Sequence, residues 1–226
     1  PINTSAQFDN PAVGFDFDRS PRFAVDPQGV LHAVWESQYA GLAGGLAGAD
    51  GDIYHATFSP AGWSAPQLVN SNGASDAGLD SMPDIAIDQN GNICVVWASE
   101  ENIGGTLGTD FDILYSVNGG AGWSFPAPLN SYAATDTKHD TNPRIAVSAD
   151  GKAHCVWVGE YDFGAGTSNI RYSVLGAAGW SAAEQVHPAF AVPPQGMNAG
   201  AEIAIAASGV PHVIWWSNVN HNGAGA

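Results

Sequence analysis

Asp76 and Asp80 stand seven and three residues before Pro83, and Asp136 and Asp140 stand at the same two offsets before Pro143. Asp50 with Asp52, and Asp110 with Asp112, form a second repeated pair. Carboxylates carried on flexible loops are hard oxygen ligands and suit Ca2+. Asp76, Asp80, Asp110, Asp112, Asp136 and Asp140 are therefore the candidate metal ligands, and Ca2+ is the one cofactor the sequence suggests. The same spacing fits aspartates that cap turns by accepting backbone N–H groups. Recurrence from unit to unit favours that structural role.

A second set of carboxylates follows the tryptophans Trp35, Trp97 and Trp157: Glu36, Glu100, Glu101 and Glu160. Two carboxylates flanking a sugar are the machinery of glycoside hydrolysis, so Glu100, Glu160 and Asp140 are the candidates for that chemistry. Tyr39, Tyr161 and Trp216 could stack on a sugar ring. With Glu101 and His139 they complete the candidate ligand-binding set: Tyr39, Glu100, Glu101, His139, Asp140, Glu160, Tyr161 and Trp216. The competing reading places the glutamates at a solvated rim or in hydrogen bonds to neighbouring units. His32, His154 and His212 share one slot with Cys94. Equivalent positions in successive repeats are spread apart and cannot share one tetrahedral ion, so these side chains are expected to pack. The sequence holds no P-loop, dinucleotide fingerprint or nucleophile–His–Asp relay.

These residues are carried by a repeat. PRFAVDPQGVLHAVWES from Pro21 recurs as PDIAIDQNGNICVVWAS from Pro83, PRIAVSADGKAHCVWVG from Pro143 and AEIAIAASGVPHVIWWS from Ala201. The marker tryptophans Trp35, Trp97, Trp157 and Trp215 are 62, 60 and 58 residues apart. Each unit reads as four short strands, a to d, with a tight Asp/Asn/Gly turn between a and b. Strand b ends on the marker tryptophan. Strand c is Asp52-Ile-Tyr, Asp112-Ile-Leu or Asn169-Ile-Arg, and strand d opens with Gly-Trp-Ser at Trp63, Trp123 and Trp180. Four antiparallel strands in a unit of this length, repeated, predict an all-β protein: a β-propeller of four-stranded blades. The blades span about 18–70, 80–130 and 140–188, with a half blade at 198–218 and a tail at 219–226, in one propeller region over 1–226. The b–c and d–a loops are long and must lie on one face of an antiparallel meander, where ligand-binding residues concentrate. The Gly-Trp-Ser tryptophans are expected to fill the space between sheets. Closing a ring requires additional blades or another copy of the chain.

Six Lys and Arg oppose twenty-two Asp and Glu, for a net charge of −16. Such a surface repels polyanions, so nucleic acid is excluded as a partner, and no apolar run is long enough for membrane insertion. Abundant Gly and Trp with scarce Lys suggest a secreted or cell-surface protein. Cys94 and Cys155 lie on opposite faces of equivalent strands. They either meet across two neighbouring blades or point apart, and are expected to be free and buried.

The unit P-x-[IF]-A-[VI]-x-x-x-G-x-x-x-x-V-W, then D-I-x-Y-S, then G-W-S-x-P-x-x-[VL]-N resembles the sialidase-like, or BNR-type, β-propeller repeat. The resemblance covers nearly the whole chain. In that family an arginine triad binds the substrate carboxylate, and Arg22-Phe-Ala and Arg144-Ile-Ala are the nearest matches to its first motif, with Ala in place of Pro. The aspartate box of the family is reduced here to glycine-rich turns before Trp-Ser. The resemblance implies an extracellular module that recognises glycans or glycoproteins through the long-loop face. A sialidase-like glycoside hydrolase and a structural or adhesion module are the alternatives.

Overall fold

A computed structural model describes residues 18–38, 50–162, 164–186 and 196–218. The candidate Tyr39, the 219–226 tail and much of the first b–c and last d–a loops lie outside the described residues. The first sheet runs β1 (Asp18–Val25), β2 (Leu31–Ser37), β3 (Asp52–Ser59) and β4 (Gly62–Trp63), with β5 (Gln67–Leu68) also on β3. The second is β6 (Asp80–Ile87), β7 (Ile93–Ser99), β8 (Asp112–Asn118) and β9 (Ala127–Pro128). The third is β10 (His139–Val147), β11 (Ala153–Asp162), β12 (Thr167–Gly176) and β13 (Gly179–Trp180), with β14 (Glu184–Gln185) on β12. Strands β15 (Asn198–Ile205) and β16 (Pro211–Ser217) form a two-stranded sheet. Every pairing is antiparallel, and the main strands a, b and c of each sheet pair in sequence, as the repeat predicts.

Strand d is broken because its serine enters the ladder. The Ser64, Ser124 and Ser181 hydroxyls accept the N–H groups of Thr57, Val117 and Val174 at 3.0, 3.1 and 3.2 Å. That explains the Ser of each Gly-Trp-Ser. Its Trp leans on the preceding sheet: Trp123 packs edge-on against His55, and Trp180 against Tyr115.

The sheets stack face to face, and the cores lie between them. Val34 and Ile53 of the first sheet meet Ile85 and Val95 of the second. Val96 and Ile113 of the second meet Ile145 and Cys155 of the third. Val156 and Ile170 of the third meet Ala201, Ile203 and Trp215. Cys94 and Cys155 share one of these cores as free buried thiols, because one strand faces forward and its neighbour backward. Burial pushes the Cys94 thiol up to about 12.

Among the described residues, nothing covers the outermost faces. Phe23 and Val25, which occupy the slots of Ile85 and Ile87, are 55% and 61% exposed, and Ile214 and Trp216 at the other end are 71% and 55% exposed. No helix among the described residues is long and apolar enough to cross a membrane.

Each strand a carries a bulge at one repeat position. Ser20, Met82, Asn142 and Gly200 have φ of 53°, 56°, 53° and 60°, beside register shifts in β1, β6, β10 and β15. A left-handed residue costs roughly 1–2 kcal/mol when it carries a side chain. Gly200→Val is expected to destabilise by about 1–2 kcal/mol in urea unfolding. Ser20→Gly, at an exposed bulge, should be neutral or stabilising.

Candidate functional site at the blade junctions

Where one sheet hands over to the next, an asparagine at the end of strand d joins them. Asn70 Oδ1 accepts the Ile53 N–H at 3.0 Å, while its amide donates to Asp52 Oδ1 and Asp80 Oδ2, both at 2.7 Å. Asn130 repeats the pattern with Ile113 N–H at 3.1 Å, Asp112 at 2.8 Å and Asp140 at 2.6 Å. One carboxylate belongs to the same blade and the other opens the next, so the amide sets the register between blades. The Trp97 indole completes Asp80 at 2.8 Å. At the next junction the Tyr132 hydroxyl and the Glu160 N–H donate to Asp140 Oδ1, at 3.1 and 2.9 Å. This places a marker tryptophan in the clamp as well as in the core.

The long loops add further acid to each clamp. Carboxylate oxygens of Asp52, Asp76 and Asp80 lie within 4.8 Å of one another, as do those of Asp110, Asp112 and Asp136. Asp50 Oδ2, Asp76 Oδ1, Asp110 Oδ2 and both oxygens of Asp136 are shielded from solvent and accept no hydrogen bond from another residue. Burial, with Asp50 and Glu101 nearby, pushes Asp76 up to about 6. Burial, with Asp110 and Asp136, pushes Asp112 up to about 7, and burial with Asp110 pushes Asp136 up to about 6. Burial also holds Asp80 and Asp140 well above the usual carboxylate range. Each group is a concentration of negative charge with little water around it, which either protons or a hard cation must balance. The donor set is oxygen only, which fits Ca2+ better than Zn2+.

The third junction is latched without these acids. Asn169 and Asn198 stand where the other junctions have aspartate, and the Ser168 hydroxyl bonds the Asn198 carbonyl at 2.6 Å. Asn198 returns its N–H to the Ser168 hydroxyl and its amide to the Ser168 carbonyl.

Five of the six expected metal ligands fall in the two groups, joined by Asp52. Asp140 does not. It is 0% exposed and its oxygens are taken by Asn130, Tyr132 and the Glu160 N–H, so it positions β10.

Glu160 sits at φ 55° and is bound by Arg171 and by the Asn169 amide. Glu101 accepts the Ala77 and Gly78 N–H groups at 3.4 and 3.3 Å, tying its loop to the preceding d–a loop. Gly78 permits this approach, since a Cβ there would stand 2.4 Å from the Glu101 nitrogen. The Glu100 N–H bonds Leu79 O. His139 Nδ1 accepts the Phe111 N–H, and His139 pairs with Tyr161 across β10 and β11. Trp216 is not with them: it occupies the repeat slot of Glu36, which reaches across to the Met82 N–H of the next blade. Its exposure belongs to the outer face of the two-stranded sheet.

Arg22 and Arg144, the nearest matches to a substrate-binding arginine, are engaged within the protein. Arg22 lies 3.8 Å from Asp84, and Arg144 lies 3.1 Å from Glu202. All four occupy one repeat position, so opposite charges pair between successive innermost strands. Sequence reasoning passed over Asn70 and Asn130, although the recurring Val/Leu-Asn-Ser at the end of strand d marked them.

Two measurements test the junction. Asn130→Ala strips partners from Ile113 N–H, Asp112 and Asp140, and should cost about 2–4 kcal/mol in urea unfolding. With divalent cations chelated, folded Asp76, Asp136 and Asp112 titrate near 6, 6 and 7, above their unfolded value. Between about pH 4 and 7 the folded form holds protons that the unfolded chain has released. Stability should therefore be greatest at the acidic end and decline as pH rises through that window. The double variant Asp112→Asn, Asp136→Asn should flatten the profile of Tm against pH.

No family model matches the sequence, and no curated protein matches it. Solved structures do. The α-L-arabinanase of Penicillium chrysogenum, complexed with arabinobiose, aligns at TM-score 0.59 and 13% identity over 88% of this chain and 61% of that one. The α-L-arabinofuranosidase of Lactobacillus brevis aligns at 0.55 and 11% over 92% of this chain and 67% of that one. An ulvan lyase of polysaccharide lyase family 25 aligns at 0.53 and 16%, and this chain covers 53% of its length. At these identities the likeness establishes the fold, a β-propeller of the type found in carbohydrate-active enzymes.

Proposed function

We propose that this chain is the blade-bearing part of a secreted or cell-surface β-propeller of the BNR type that binds glycans or glycoproteins through its long-loop face, with Ca2+ ordering the aspartate-rich loops. The third junction carries this reading. It latches the equivalent strands through Ser168 and Asn198 and has no counterpart of Asp76 or Asp136, so these two loop acids are not a requirement of the latch itself. Buried, mutually repelling carboxyls of this kind cluster at functional sites. Asp52, Asp76 and Asp80 would hold one cation, and Asp110, Asp112 and Asp136 the other. The glycan ligand is supported by the arabinanase, arabinofuranosidase and lyase that share the fold, and repeated junctions suit multivalent contact. The open outer faces are where further blades, from a longer chain or another copy, complete the ring.

The second reading is part of a glycoside hydrolase. The raised carboxyls of Asp112 and Asp136 favour it, because a carboxyl near 6 or 7 can serve as a general acid at neutral pH.

Adding Ca2+ to chelated protein at pH 7 should raise Tm, and Asp76→Asn with Asp136→Asn should remove the rise. On a glycan array the protein should bind without turnover, and chelation should weaken binding. Hydrolysis of a chromogenic arabinofuranoside that disappears in Asp112→Asn or Asp136→Asn, with Glu100→Gln and Glu160→Gln as the alternative pair, would favour the enzyme instead.

A further inference from the structure

The repeats are alike enough that a residue breaking the pattern stands out, and Phe125 does so. It follows Gly122-Trp-Ser in the second blade, where the first and third blades have Ala65 and Ala182. Alanine satisfies the scaffold at this position. Phe125 is 62% exposed, so its ring contributes little to the core. A large exposed apolar side chain that folding does not require is a candidate contact surface.

Phe125 lines a pocket of ≈ 440 Å³ with Asn72 and Asp76 from one long loop and Glu101 and Ile103 from another. Ile103 stands on the 3-10 turn Ile103–Gly105 in the b–c loop of the second blade. The pocket therefore combines an apolar wall, Phe125 and Ile103, with two carboxylates and an amide. Glu101 is already oriented by the Ala77 and Gly78 N–H groups, and Asp76 Oδ2 by the Asn72 amide at 2.7 Å. Apolar walls with a few convergent, preset polar groups are the usual form of a small-ligand site. Serine hydroxyls of Ser71 and Ser75 complete the lining, and no cationic side chain is present in it.

We infer that this pocket is a subsite for a neutral sugar unit, whose C–H face lies on Phe125 and whose hydroxyls donate to Glu101 and Asp76. The inference rests on the glycan-binding reading above and adds both the place and the class of ligand. Carboxylates accept hydroxyl hydrogen bonds strongly. The same two acids, in a chain of net charge −16, disfavour uronates and sialates. The acidic clusters alone do not select between these classes; the pocket lining does.

The test uses the full chain against short arabino-, xylo-, manno- and galacto-oligosaccharides, with oligogalacturonate as the acidic comparison. Calorimetry measures affinity, and the Ile103 methyl resonance reports occupancy of the pocket. A neutral oligosaccharide should bind and shift that resonance. Phe125→Ala should weaken binding about tenfold, the loss of one aromatic contact. Because Phe125 is exposed, this variant should keep the wild-type Tm. Binding that survives Phe125→Ala with an unmoved Ile103 signal would overturn the subsite and leave the glycan reading intact. Binding of oligogalacturonate alone would overturn the ligand class. Absence of any binding would overturn both.

Discussion

The side-chain amides of Asn70 and Asn130 each take three bonds that no apolar contact could replace. Each accepts an N–H from strand c of its own blade and divides its two hydrogens between that blade and the next. Hydrophobic packing between sheets is strong but non-directional and tolerates sliding. The amide clamp is directional and fully buried, so a slip in register would leave several polar groups unsatisfied at once. The carboxylate that Asn70 shares with the Trp97 indole fixes where the second blade begins, and the long loops on either side are held with it.

Around that constraint the repeat separates what every blade needs from what only one blade has. The a–b turns, the serine of strand d and the interblade cores recur with little change. The innermost charges alternate so that each strand a pairs with its neighbour, Arg22 with Asp84 and Arg144 with Glu202. The acids in the long loops recur at two junctions, whereas the Ile103 turn and Phe125 belong to the second blade alone. In a quasi-symmetric scaffold the departures from symmetry carry more functional information than the repeated residues do.

Histidines in the repeated slot show how context alone changes a side chain. His32 bonds His55 at 2.9 Å, and burial together with His32 pushes His55 down to about 4. His154, in the same slot, meets Tyr172 and Ser148 instead. Both side chains pack locally, as expected from positions that cannot converge on one ion, although His32 Nε2 has only Asp26 at 3.5 Å as a polar neighbour.

The period of the marker tryptophans, the alternation within each strand and the Asp/Asn/Gly turns were sufficient by themselves to specify a β-propeller with long loops on one face, because these are local signals fixed by backbone geometry. They also marked the aspartates that meet at the junctions. Tertiary structure alone decided which carboxylates converge, that Asp140 is enclosed, that Trp216 belongs to an outer face, and that Cys94 and Cys155 meet without bonding. Those outcomes depend on distances between blades, and residues some 60 positions apart in the chain carry no sequence record of how closely their sheets approach.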